Sequence, residues 1–370
     1  MIGPTRQLIN GGSDPIVGID SPHAHVLFCR QRRQCRQTRD MLARGRHPAH
    51  SEMSPHVRDF VGYGLNPPQV KWPNGGRLAV QVCVNYEEGA EYSLLDGPRR
   101  ETIGEVPSPI PSSQRDLFNE SFFEYGSRVG IWRLLRILQR YQVPATWWAC
   151  GLAIERNPEA GEAIAAADHE MAGHGYRWEE YAGMSKEQEM ESIRRTVESI
   201  SRITGRRPLG WFTRYSCSDN TRNLLAEEGG FLYDSLGLND DLPYYTSALG
   251  RPWLVVPYSF ETNDARFWRG GLVSVDGFEG YLRAAFDCLY EESLTVPRIM
   301  TIGLHCRIAG TPARSRAVAN FLEYARRFED VWFARRIDIA QWWMKQQPPN
   351  VSGERSVATR TGRETEALAR

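Results

Sequence analysis

Apolar and polar positions repeat with two different periods along the middle of this chain, and the two periods take turns. "RLAVQVCVNY" at 77–86 is a continuous apolar run of strand length. "SRVGIWRLLRILQRYQVP" at 127–144 places its apolar residues at helical spacing until a proline closes it. "ATWWACG" then reads as a strand, and "EMAG" ends a shorter one. The clearest helix is "SKEQEMESIRRTVESISRITG". Ser185 with Gln188 forms a capping box, Met190, Ile193, Val197 and Ile200 make one apolar stripe, and Gly205 sits at the C-cap position. "LGWF", "FLYDS", "WLVVPYSF", "RIMTIGLH" and "VWFAR" follow as strands. "DNTRNLLAEEG", "EGYLRAAFDCLYEES", "SRAVANFLEYARRF" and "DIAQWWMKQ" follow as helices.

Strand then helix, about seven times over, predicts a parallel α/β architecture. No GxGxxG follows the first strand and no GxxxxGK[ST] occurs, so a nucleotide-binding doubly wound sheet lacks its usual support and a barrel is favoured. The ends of the chain break the pattern. Residues 1–55 include the arginine-rich, acid-poor "CRQRRQCRQTRDMLARGRHPAH" and are expected to form a disordered leader. A targeting peptide and a histidine-rich metal tract are the competing readings there, and on the expectation of a disordered extension Met53 is the expected natural beginning. Residues 56–348 are the expected barrel, and 349–370 a disordered tail.

Composition narrows the function classes. The 370 residues carry 45 Lys plus Arg against 45 Asp plus Glu, which gives no reason to expect nucleic acid or an anionic membrane as partner. No apolar run approaches the roughly 20 residues that span a bilayer. Seven cysteines without a CxxC pair, with Cys83, Cys150, Cys288 and Cys306 in apolar runs, suggest buried free thiols in a reducing compartment, so the cytoplasm is expected.

Polar groups cluster where the predicted strands end, which in a barrel is the catalytic face. These are Asn85, Glu87 and Glu88 in "VNYEEG", and His174, Arg177 and Trp178 in "GHGYRW". Arg214 stands in "GWFTRYS", Asp234, Asp240 and Asp241 in "LYDSLGLNDD", and His305 and Arg307 in "GLHCR". Taken singly, each has a plainer explanation in a solvated loop, a turn or packing; at least four strand ends carrying such groups at once weaken it. His169 precedes its strand and belongs at the opposite end. The set suits hydrolysis of a carbonyl compound, with a carboxylate such as Glu87 as general base and an imidazole or guanidinium at the oxyanion or the leaving nitrogen. No G-x-S-x-G elbow supports a serine nucleophile. Cys306 should face away from His305, which disfavours a cysteine nucleophile.

With these residues assembled, the chain resembles the polysaccharide deacetylase superfamily, through Glu87-Glu88-Gly89, His174, Arg214 and Leu304-His305. Within it, "VGYGLNPP", "NYEEG", "EYGSRVGIWR", "HGYRW", "EEGGFLYDS", "DDLPY", "TNDARF", "IGLHCR" and "VWFARRIDIA" are similar to the cofactor-independent allantoinase-like subgroup over about residues 61–340. The resemblance implies an α/β fold, a deformed (β/α) barrel of about seven parallel strands, and a homo-oligomer. It also implies hydrolytic opening of a small cyclic amide, allantoin to allantoate, in purine breakdown. The chain departs from the subgroup at 213–221, where "TRYSCSDNT" replaces a glycine-rich run.

Metal-dependent members hold an ion with an aspartate and two histidines. Here Glu88 stands at the acidic position and His174 at the first histidine, with Trp178 where the second would be. Indole offers no lone pair, and catalytic zinc wants about three protein ligands. No metal is therefore expected, zinc at Glu88 and His174 being the alternative. Glu87 or Glu88 is expected as general base, with His174 and His305 orienting the carbonyl and shuttling the proton. Asn85, Arg177, Arg214, Asp241 and Arg307 are expected to bind substrate, with Trp178 as an apolar wall. Two other functions compete: a metal-dependent polysaccharide or N-acyl amide deacetylase, and a hydrolase of another cyclic ureide or imide. A non-catalytic ureide-binding barrel is a further possibility.

Overall fold

The computed structural model describes residues 58–102, 108–266 and 274–349. The expected leader at 1–55 lies outside them, as does the tail from 350 onward.

Among the described residues, nine strands form one sheet: β1 Leu78–Tyr86, β2 Ala145–Ala149, β3 Glu170–Gly173, β4 Gly210–Trp211, β5 Tyr233–Asp234, β6 Tyr244–Ala248, β7 Arg251–Val255, β8 Arg298–His305 and β9 Val331–Phe333. Their order is β6-β7-β5-β4-β3-β2-β1-β8, with β9 beside the first residues of β1. Every pairing is parallel except β6 with β7. The sheet is the expected mostly parallel α/β architecture, with β6 and β7 forming one antiparallel hairpin. "YYTSA", which forms β6, is not among the strands that the sequence pattern predicts.

β1 explains the centre of the molecule. All nine of its residues are buried, as a strand covered on both faces must be. The sheet curls, and a bridge between Asn263 and Gly303 lays the chain that follows β7 along β8. Gly303 N–H donates to Thr262 O at 3.2 Å and Asp264 N–H to Gly303 O at 2.9 Å. This contact carries Asp264 to the C-terminal end of β8.

Helices pack outside the sheet. Helix Lys186–Thr204 has the expected capping box, with Gly205 in the left-handed conformation after it. Helices Leu117–Tyr125, Gly151–Arg156 and Pro158–Ala166 add to the expected set. The glycine-bearing "GSRVG" at Gly126–Gly130 forms a π-helical turn that leads into helix Ile131–Tyr141. Such turns recur at functional sites. Cys83, Cys150 and Cys306 are buried free thiols as expected, whereas Cys288 is exposed on helix Val275–Glu292. No described helix is long and apolar enough to cross a membrane.

Candidate active site

The C-terminal ends of β1, β3, β4 and β8 meet at a cavity of about 430 Å³, within the range of small-molecule sites. Its lining includes Asn85, Glu87, His174, Trp178, His305 and Arg307, all expected from the sequence. Phe212, Tyr258 and Asn263 join them.

Glu87 is the hub. It follows the last residue of β1, and its side chain is 1% exposed. His174 Nε2 lies 3.3 Å from its Oε1, and His305 Nε2 lies 3.6 Å from the same oxygen. Arg307 Nη1 donates to its Oε2 at 2.7 Å. Burial alone would raise the Glu87 pKa. Arg307, His305 and His174 outweigh it and hold the carboxyl well below the usual range.

Glu88 turns the other way and does not line the cavity. Its Oε1 accepts from the Arg307 backbone N–H at 2.9 Å and from Arg307 Nη1 at 3.3 Å. Its Oε2 accepts from Glu87 N–H at 3.1 Å. A Cβ on Gly126 would come within 2.6 Å of this carboxylate, so the π turn needs glycine there. Burial first, then the Glu87 charge, push the Glu88 pKa up against the opposing effect of Arg307.

The two histidines are held differently. His174 stacks on Phe212 at 5.4 Å between ring centroids, and its Nδ1 faces the Phe212 carbonyl at 3.2 Å. A carbonyl only accepts, so Nδ1 carries a proton and donates to it, while the Nε2 side of the ring meets the Glu87 carboxylate. His305 Nδ1 faces Asp264 Oδ1 at 2.6 Å, while Asp264 Oδ2 accepts the backbone N–H of His305 at 2.7 Å and of Ala309 at 3.1 Å. Burial works against charge on His305, but Asp264 and Glu87 outweigh it and raise the pKa.

Other expected residues are sorted by their partners. Trp178 lines the cavity and is 5% exposed, with Phe123 at 5.9 Å and the Arg214 guanidinium 3.7 Å from its ring. Arg214 reaches the lining, but its Nη1 donates to Glu101 at 2.7 Å and to the Trp178 carbonyl at 2.9 Å. Its Nε lies 3.2 Å from Glu180. It braces the tryptophan rather than offering those donors to a substrate. Arg177 lies outside the cavity lining and faces Asp96 at 3.4 Å. Asp241 is exposed and also absent from the lining. Both are corrections to the expected substrate contacts, because the turns that carry them point their side chains elsewhere. Asn85 lines the cavity and donates to the Leu304 carbonyl at 3.0 Å. His169 sits at the opposite end, as expected, where its Nδ1 accepts from Ala145 N–H at 3.2 Å.

Sequence reasoning missed Asp264, Tyr258, Asn263 and Phe212 as site residues. "TNDARF" contributed to the resemblance, yet its polar residues look like an ordinary turn, and only the bridge to Gly303 reveals their address.

The donors present do not fit a catalytic metal. Glu88 is saturated by N–H groups, Glu87 is paired with a fixed guanidinium, and Trp178 has no lone pair to give. Among the described residues, no three His, Cys, Asp or Glu side chains are placed to hold an ion.

The polysaccharide deacetylase family model matches residues 121–233. A Schizosaccharomyces pombe protein named as a polysaccharide deacetylase is 39% identical over 321 residues, covering 79% of this chain and 98% of that protein. A crystal structure named for a polysaccharide deacetylase of Pseudomonas aeruginosa PAO1 is 44% identical with a TM-score of 0.75, covering 79% of this chain and 99% of the other. The crystal structure of PuuE allantoinase is 43% identical with a TM-score of 0.75, covering 79% and 98%.

Proposed function

Since this chain belongs to the polysaccharide deacetylase family, whose members are hydrolases of carbon–nitrogen bonds, we propose that it opens a small cyclic amide, with allantoin the favoured substrate and no metal required. One observation carries the reading: Glu87 and His305 lie 3.6 Å apart on the lining of a cavity of about 430 Å³ walled by Trp178, Phe212 and Tyr258. The walls suit a flat ring, and the volume suits a small molecule.

Water would attack the ring carbonyl. Glu87, beside His174 and His305, would accept the proton that water gives up. A carboxylate held as low as Glu87 is a weak base, so it would hold that proton only in passing. His305, kept protonated by Asp264 and Glu87, would deliver a proton to the ring nitrogen as the C–N bond breaks. Arg307 supplies a fixed positive charge beside the reacting centre.

The test is turnover by chelator-treated, metal-analysed protein of a panel containing allantoin, hydantoins, cyclic imides and N-acetyl sugars. Ring opening of allantoin by metal-free protein is expected. Activity that appears only on adding zinc, or only toward N-acetyl sugars, overturns the reading.

A further inference from the structure

The cavity carries a hydroxyl whose proton the steps above leave unused. Tyr258 follows β7 and is 2% exposed. Its backbone N–H donates to Gly237 O at 2.8 Å, and its ring packs against Phe212 at 4.7 Å and Phe260 at 5.5 Å. The side chain is therefore fixed, and it lines the same cavity as Glu87 and His305.

Asn263 defines what the hydroxyl does. Asn263 Oδ1 accepts from Ala265 N–H at 2.8 Å, which sets the orientation of the amide. Nδ2 is then the atom 3.0 Å from the Tyr258 oxygen, and it donates. The phenol oxygen accepts that bond, the Asn85 amide also lies within its reach, and no hydrogen bond given by its own proton is found among the described residues. A hydroxyl so placed costs free energy unless a ligand completes it, and accepting one bond makes it a better donor of the next. Burial keeps the group protonated by raising its pKa, and the Asn263 and Asn85 amides oppose this without reversing it.

Gly303 gives an independent sign that this placement is built. It lies inside β8, where a glycine normally weakens a strand. A Cβ there would collide with the Tyr258 hydroxyl and the Asn263 amide. The strand leaves a hollow in which these two groups meet.

We propose that Tyr258, aligned by Asn263, is the oxyanion donor of this site: its O–H hydrogen-bonds the substrate carbonyl oxygen as negative charge develops there. The inference rests on the amide-hydrolysis reading above. As the water oxygen bonds to the carbonyl carbon, the C=O π pair moves onto oxygen and is held by the Tyr258 O–H. The water proton passes to Glu87. When that electron pair returns to re-form the carbonyl, the C–N bond breaks, and its electrons take the proton from His305. Tyr258 keeps its proton throughout.

The experiment uses whichever amide of the panel the wild-type enzyme hydrolyses. Tyr258→Phe should lower kcat by about a hundredfold to a thousandfold, as loss of one oxyanion donor does, while KM moves less than about threefold. Placing 3-fluorotyrosine at 258 makes the phenol more acidic and should raise kcat, a response that a packing role would not give. It also carries the test if Tyr258→Phe fails to fold. Gly303→Ala should reproduce the kcat loss. A kcat within about threefold of wild type in Tyr258→Phe, a loss confined to KM, or indifference to phenol acidity overturns the assignment. Hydrolysis of an N-acyl amide in place of a cyclic one would sink the ring-opening reading alone, and the Tyr258 test would proceed on that amide. A wild-type protein that turns over nothing overturns both.

Discussion

Glu87 and Glu88 are adjacent in sequence and opposite in surroundings. One faces His174, His305 and the cavity; the other is locked under Arg307 and the π turn. The pair was legible in the sequence, but the division of labour was not, because which side chain enters a cavity depends on the turn that follows the strand. The same limit applies to Asp264. His305 is faced by Asp264, Glu87 and Arg307, and its pKa is raised from the ordinary 6.5. Activity should therefore fall on the alkaline side as His305 loses its proton. In Asp264→Asn the charge that sustains the imidazolium is gone, so the alkaline limb of kcat/KM should move to lower pH. The rate at neutral pH should drop at least about tenfold. A pH–rate profile of both proteins decides this, and an unmoved limb refutes it. The linkage has a definite sign. A histidine whose folded pKa is raised contributes fully below its unfolded value near 6.5, and that contribution is lost as pH rises through the folded value.

At the scale of elements, the π turn Gly126–Gly130 is the joint between helix and site. A Cβ on Gly130 would strike the carbonyl of Cys306, the residue between His305 and Arg307. Gly130→Ala should destabilise the fold by about 1–3 kcal/mol through overpacking and displace both functional side chains. Thermal melts paired with kcat measure this. Loss of stability with full activity would show the turn to be structural only. Helix Lys186–Thr204 offers the contrast. Ser185→Ala removes the capping box, should cost about 1 kcal/mol, and should leave kcat unchanged because the cap lies on the exposed surface away from the cavity. The helix was fully readable from its period and cap signals, which are local. β6 was not, since its partly exposed residues pair only with β7 and show neither period clearly.

On the scale of the whole molecule, global stability is coupled to a carboxyl beside the site. Glu91 accepts from Gly89 N–H at 2.6 Å, and burial, with the Glu88 charge adding to it, raises its pKa from 4.5 to about 7. The folded state thus binds a proton that the unfolded state releases, and stability should decline as pH rises between about 4.5 and 7. Glu91→Gln should remove this slope and be the more stable protein at pH 8, by about 3 kcal/mol at most. Denaturant melts across pH test it, and an unchanged slope refutes it. The sequence by itself determined the alternation of strands and helices, the acidic pair, both histidines and Arg307, because apolar period and strand-end position are properties of neighbours along the chain. Tertiary structure decided that the sheet curls until Asn263 meets Gly303, which brings Asp264 to His305 and Tyr258 into the cavity. It also decided that Arg177 and Asp241 stay outside. Those outcomes depend on strand register and side-chain packing between segments far apart in the chain, 41 residues for Asp264 and His305 and more still where β1 pairs with β8, which no local pattern encodes.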